Sequence, residues 1–347
     1  MNGMPWIGTL AQARELAGVE ETAPRVARRL RSEGTQAMCI LGHDGDWMET
    51  PHARGWLVGR GASPQAYATA VQHALGQGHV AADALVVACM RSPQDLPLLS
   101  WGEAPPAQPV QASAPRRLDL YAVVDSAARL RLVLEAGVRT VQLRIKTPPA
   151  PDAAWQAMLR GEVAQAIADS RDAGAELFVN DHWRLARELG AGGVHLGQED
   201  LLELGDAGRA ELQASGMALG VSSHSLWELA RARTLSPRYI ACGPVWATVT
   251  KDMPWLPQGL DNLAWWCRTA GMPVTAIGGI LAPAEVEAAA STGVDGVCIV
   301  RGLGEEPRRT LPALQAALEA GRHAPPPSWP SWPHPTLPYA GAARARG

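Results

Sequence analysis

Two aspartates and three cations carry the strongest chemical signal in this chain of 347 residues. Asp181 follows Asn180, and Asp200 closes the triplet Gln198-Glu199-Asp200, each at the end of a short apolar run. Arg144 and Lys146 alternate with aliphatic residues in TVQLRIK (140–146), behind Gln142, while Lys251 follows Thr248 and Thr250 in WATVTKD (246–252). Two carboxylates suit Mg²⁺, which prefers oxygen ligands and commonly takes one or two carboxylates plus substrate phosphate oxygens. With Mg²⁺ between Asp181 and Asp200, the cations would neutralise the rest of a pyrophosphate, and Arg144 could bind it bidentately. At Gly278-Gly279 a turn would let backbone N–H groups approach a second phosphate.

These residues need a scaffold that gathers them, and the chain supplies a repeating one. Between about residues 118 and 302 a β-like run recurs eight times: LDLYAVVD (118–125), TVQLRIK (140–146), ELFVND (176–181), GVHLGQE (193–199), ALGVSSH (218–224), YIACGPV (239–245), PVTAIGG (273–279) and GVCIVRG (296–302). Amphipathic segments of helical length separate most of them, and several end in a Gly followed at once by the next run. Eight βα units in this length predict an α/β fold, a (β/α)8 TIM barrel, with a doubly wound sheet as the alternative. In such a barrel one strand face points inward, so Arg144 and Lys146 are expected inside, near the C-terminal end where these barrels keep their sites. Unpaired buried cations are costly, which calls for an anion there. The other polar residues fall at the same ends: Asn180-Asp181, Asp200, Ser222-Ser223-His224, Thr248-Thr250-Lys251, Gly278-Gly279 and Arg301-Gly302.

Each residue has a plainer reading. An Asp that opens a helix is more often an N-cap than a metal ligand. Thr248 and Thr250 could serve a turn, and Gly-Gly a tight loop. His195 reads as a hydrogen-bonded structural residue and His224 as a neighbour of the site. The five cysteines, without CxxC spacing, read as reduced core thiols. The convergence of the polar set on one barrel face is what favours chemistry.

A net charge of −3 and a pI near 6.3, with no basic stripe, give no indication of nucleic-acid binding. No apolar stretch approaches a membrane span, and the first residues lack a basic segment before an apolar core, so a cytoplasmic location is expected. Composition divides the chain into an Ala-rich globular region (1–92), a Pro/Ala-rich linker (93–117), the barrel (118–320) and a Pro-rich tail expected to be disordered (321–347). Barrels with exposed helices often dimerise, so a homo-oligomer is an expectation.

The segments QLRIK, NDHWRLARELGAGGVHLGQEDL, GVSSHS, GPVWATVTK and AIGGI resemble thiamine-phosphate synthase, in matching order over about residues 118–320. The resemblance implies joining a hydroxymethylpyrimidine diphosphate to a thiazole phosphate, with release of pyrophosphate and no side-chain nucleophile. It implies Asp181 and Asp200 as Mg²⁺ ligands. Gln142, Arg144, Lys146, Asn180 and Lys251 would hold diphosphate and pyrimidine, with Ser222 near the pyrimidine. Thr248, Thr250, Gly278 and Gly279 would face the thiazole phosphate, and Arg301-Gly302 lies where the family often carries Ser. Rival readings are a thiazole tautomerase of the same barrel, using a base such as His224, and a non-catalytic precursor-binding protein. Residues 1–92 resemble, more weakly, a degraded C-terminal half of a ribokinase-like hydroxymethylpyrimidine-phosphate kinase. Ala53-Arg54-Gly55-Trp56-Leu57 stands where that family has its anion hole and catalytic thiol, so kinase activity is not expected.

Overall fold

The computed structural model describes residues 4–92, 95–110, 117–248, 254–325, 328 and 332–338. Strands β1 (Trp6–Thr9), β2 (Met38–Leu41), β3 (Asp46–Glu49), β4 (Arg54–Val58) and β5 (Leu98–Leu99) form an N-terminal sheet in that order. Strands β6 (Asp119–Val124), β7 (Thr140–Leu143), β8 (Glu176–Asn180), β9 (Gly193–Leu196), β10 (Ala218–Ser223), β11 (Tyr239–Cys242), β12 (Val274–Ala276) and β13 (Gly296–Ile299) close into an all-parallel barrel. All eight β-like runs of the sequence therefore contain a strand, each shorter than its run.

The intervening helices follow local rules. Helix Ala127–Glu135 starts where the Ser126 hydroxyl accepts from Arg129 N–H, and it buries Leu130, Val133 and Leu134 at helical spacing. The chain turns out of it at Gly137, whose positive φ of 103° suits glycine. Outward strand residues such as Val141, Leu143, Val179 and Val194 pack under the helices in the main core. Inward residues Tyr121, Val123, Phe178, Tyr239, Ala241 and Cys298 fill the barrel floor. All five cysteines are free thiols, four of them buried, as expected of core residues.

Two expectations are corrected. Residues 95–101 are no free linker: β5 pairs antiparallel with β4, and Leu96, Leu98 and Leu99 are buried. Trp101 donates from its indole to Thr234 Oγ1 (3.0 Å), on the barrel. The leucines outweigh the prolines around them, because apolar burial is available on the neighbouring surface. Likewise the described tail residues 332–338 are docked, with Thr336 and Leu337 buried and His334 bonded through its backbone to the Asn262 side chain (2.9 and 3.1 Å). Among the described residues no helix is long and apolar enough to cross a membrane.

Asp83, in helix Ala81–Cys89 of the N-terminal unit, is fully buried where unit, barrel and tail meet. Its Oδ1 accepts from the N–H groups of Leu226 (2.9 Å) and Trp227 (3.3 Å), and its Oδ2 from the Thr336 hydroxyl (3.1 Å). Burial outweighs these donors and, with a smaller push from the Glu228 charge, lifts the pKa from 3.8 to about 7. The folded state therefore holds a proton that the unfolded chain releases. The stability it contributes is complete below about pH 4 and is lost as pH rises through about 7. Asp83→Asn keeps an acceptor for both N–H groups and offers its amide to Thr336. It should melt a few degrees above the parent at pH 8 and gain nothing at pH 4.5, as calorimetry at the two pH values can check. A variant that melts below the parent at pH 8 would contradict this.

Candidate active site

The C-terminal mouth of the barrel collects the polar residues, and each strand's alternation decides which ones. On β7, Gln142 is buried on the inner face and Arg144 follows just past the strand end, half-buried, its N–H donating to Val124 O (2.7 Å). Arg144 makes no ion pair among the described residues, yet its charge is felt by both Asp181 and His195. Lys146 is a correction: β7 stops at Leu143, so Lys146 lies in the following loop and is exposed rather than inside. A side-chain pattern of alternation can persist beyond the last ladder bond, which is why TVQLRIK read as one strand.

Asn180 ends β8, buried beside Asp181, whose charged form it favours. Asp181 adopts φ +63°, a left-handed conformation uncommon outside glycine and a frequent mark of functional positions. Desolvation and then the negative charge of Asp200 raise its pKa, while Arg144 opposes the rise. The two carboxylates thus repel one another across the mouth. Asp200 is the third residue of helix Gln198–Glu203, and its Oδ2 accepts from Gly197 N–H (2.9 Å). Asp200 is therefore not the N-cap, which is Gly197, but the third helical residue reaching back to the N-cap N–H, a bond that occupies only one of its two oxygens. Among the described residues no cluster of three or more His, Cys, Asp or Glu could hold a metal. Two carboxylates whose charges act on one another fit Mg²⁺, whose remaining positions would go to phosphate oxygens and water.

Ser222 points inward from β10, while Ser223 turns outward and accepts from the Trp266 indole (3.1 Å). The loop after β11 is stitched to the loop after β12 by Val245 N–H to Ile277 O (2.9 Å) and Trp246 N–H to Gly278 O (3.0 Å). Gly278 and Gly279 have φ of 94° and 76°, and a Cβ on Gly279 would lie 2.5 Å from that of Trp246. No other residue fits this approach. Thr248 is half-buried in the loop, whereas Thr250 and Lys251 lie outside the described residues. After β13 the mouth is completed by the short turn Arg301–Leu303, with Arg301 exposed and a Cβ on Gly302 only 2.9 Å from Leu281 O.

Beneath these residues runs a hydrogen-bonded file that joins the expected Gln142, His195 and Ser222 through Tyr121 and Tyr239. Gln142 Nε2 donates to the Tyr121 hydroxyl (3.0 Å), which meets the Tyr239 hydroxyl (2.6 Å). That hydroxyl meets His195 Nδ1 (2.7 Å), and His195 Nε2 meets Ser222 Oγ (2.9 Å). Space for the Tyr239 ring comes from Gly220, where a Cβ would lie 2.3 Å from it. Burial first, and then the charges of Arg144 and His224, lower the His195 pKa to about 3, so the imidazole is neutral and has one N–H. With Gln142 donating, one direction satisfies every group: Tyr121 donates to Tyr239, Tyr239 to Nδ1, and the Nε2–H to Ser222 Oγ. The Ser222 proton is then left to donate into the mouth. Nothing in the spacing of Tyr121 and Tyr239 announces this, because each reads as a core aromatic in an apolar run.

A family model described as thiamine monophosphate synthase matches residues 120–303. A thiamine-phosphate synthase of Rhizobium etli is 42% identical over 193 residues, covering 55% of this chain and 90% of its own. One from Neisseria meningitidis is 43% identical over 202 residues, covering 57% of this chain and 94% of its own. One from Salmonella paratyphi B is 46% identical over 197 residues, 56% of this chain and 89% of its own. With the match spanning more than half of the chain and nearly the whole of each relative, the chain belongs to the thiamine monophosphate synthase family of transferases.

Proposed function

We propose that the barrel condenses 4-amino-2-methyl-5-hydroxymethylpyrimidine diphosphate with a thiazole phosphate, giving thiamine phosphate and pyrophosphate. The observation that carries this is the gathering of Asp181, Asp200 and Arg144, which makes no ion pair among the described residues, at the mouth of a family barrel. An isomerase of thiazole phosphate would need neither the carboxylate pair nor the cation.

Asp181 and Asp200 would hold Mg²⁺, which when bound supplies positive charge to the diphosphate. Arg144, Lys146 and Lys251 bind the leaving diphosphate. The Gln142 carbonyl oxygen accepts from the pyrimidine amine, and the Ser222 hydroxyl donates to a ring nitrogen. The methylene C–O bond breaks first, its electron pair leaving on the diphosphate. The thiazole nitrogen then gives its lone pair to the pyrimidinylmethyl cation. Thr248, Thr250 and the Gly278-Gly279 backbone orient that thiazole by its phosphate, beside Arg301 and Gly302. The side chains orient two substrates and stabilise departing charge, and none needs to form a covalent bond.

The test is to incubate the protein with each substrate alone and with both. Thiamine phosphate should form only with both, and thiazole phosphate alone should emerge unchanged. Isomerised thiazole in the single-substrate sample would overturn the reading. Replacing Tyr239 by Phe breaks the file that fixes the Ser222 proton. It should raise KM for the pyrimidine diphosphate about tenfold, one hydrogen bond's worth, and leave KM for thiazole phosphate unaltered. Steady-state kinetics with each substrate varied in turn would expose the opposite pattern.

The N-terminal unit is inferred to have no kinase activity. The stretch 53–57, which stands where that family has its anion hole, lies largely in strand β4 (Arg54–Val58), and Trp56 N–H already donates to Ser100 Oγ (2.8 Å). A phosphate has no nest of free N–H groups there.

A further inference from the structure

We infer that the N-terminal unit is a positioning element of the barrel's site, with Asp83 closing a ring of contacts that holds His224 and the loop after β11. Helix Leu226–Ala232 follows β10 directly, and the hydroxyl of its own N-cap, Ser225, accepts from Glu228 N–H (3.3 Å). The two preceding donors, Leu226 and Trp227 N–H, are capped by Asp83 from another part of the chain. A barrel helix beside the site therefore depends on the N-terminal unit to satisfy its first turn.

From that helix the contacts run into the mouth. Glu228, buried, accepts from His224 N–H (2.6 Å) and faces His224 Nδ1 (3.0 Å), two residues beyond Ser222. The His224 ring stacks on Trp255 with centroids 5.3 Å apart and planes 9° from parallel. Trp255 packs on Trp227 (5.5 Å), which packs on His52 of the N-terminal unit (5.6 Å). Gln258 donates to His224 O (2.8 Å), and Leu256 N–H donates to Thr336 O (2.9 Å). The Thr336 hydroxyl returns to Asp83. The ring thus passes through helix, site residue, residues 255–258 and tail, and Trp255, Leu256 and Gln258 precede helix Gly259–Thr269.

The inference rests on the synthase reading only in its kinetic arm. Hydrogen–deuterium exchange on the full chain tests it directly. In Asp83→Ala, peptides covering 224–228 and 254–258 should exchange about fivefold faster, the equivalent of a helix cap worth about 1 kcal/mol, with the barrel strands unaffected. Asp83→Asn, which retains the acceptor, should restore the parent's exchange. KM for thiazole phosphate should rise by the same factor in Asp83→Ala while kcat stays within twofold. Should Asp83→Ala fail to fold, Thr336→Val cuts the tail's link alone and should speed exchange at 254–258 only. Unchanged exchange at these peptides in the folded variant, or faster exchange that Asp83→Asn does not reverse, would overturn the inference. A parent protein without synthase activity would sink the functional reading and leave the exchange result standing.

Discussion

Replacing Asp200 by alanine is expected to lower turnover by about two to three orders of magnitude at saturating Mg²⁺, the scale of losing several kcal/mol of charge stabilisation. The carboxylate has two jobs, and a second substitution separates them. Its Oδ2 caps helix Gln198–Glu203 through Gly197 N–H, and losing that bond alone costs about 1 kcal/mol of stability. Asp200→Asn keeps an acceptor for Gly197 but carries no charge to share with Asp181. Its melting temperature should match the parent's while its turnover falls nearly as far as alanine's. Turnover in the asparagine variant close to the parent's would leave Asp200 as a cap and nothing more. The same repulsion that raises the Asp181 pKa is relieved in both variants, so the loss cannot come from Asp181 becoming protonated.

Arg144→Met should reduce kcat/KM by about 10²–10³-fold, and here stability should move the other way or not at all. The guanidinium is half-buried at the barrel mouth and, among the described residues, makes no ion pair that would offset its desolvation, the Asp181 charge acting on it only at longer range. The backbone bond from Arg144 N–H to Val124 O survives the substitution. Removing the charge should therefore leave melting unchanged or slightly raised while the diphosphate loses its planar, bidentate partner. Arg144→Lys restores charge without the fork and should recover only part of the activity. Equal losses of stability and activity in Arg144→Met would mark the residue as structural. Kinetics and thermal melts on the same preparations decide between the two.

The barrel was legible because its information is local. Each of the eight runs alternates or is wholly apolar over a few residues, and each helix-ending glycine sits one turn from the next strand. Asp181, Asp200 and Arg144 were legible because strand ends are where a parallel barrel can expose polar groups. Lys146 was misplaced because alternation does not reveal where the last ladder bond falls, and β7 ends at Leu143. Tyr121, Tyr239 and Asp83 were illegible for another reason: their partners are remote. Tyr121 and Tyr239 are 118 residues apart, and Asp83 reaches Leu226 across 143. The leucines of 96–99 and the tail at Thr336 and Leu337 were hidden by their prolines. Composition reported a preference for extended chain, and extended chain can still dock on an apolar surface.

The most direct test of the central claim is a single coupled assay on the full chain. Pyrimidine diphosphate and thiazole phosphate are supplied with and without Mg²⁺, and thiamine phosphate and pyrophosphate are followed together. The account predicts equimolar appearance of both products, dependent on Mg²⁺ and reduced at least a hundredfold in Asp200→Asn. Equal rates with and without Mg²⁺, or equal rates in parent and variant, would contradict the assignment of Asp181 and Asp200 as the pair beneath the diphosphate.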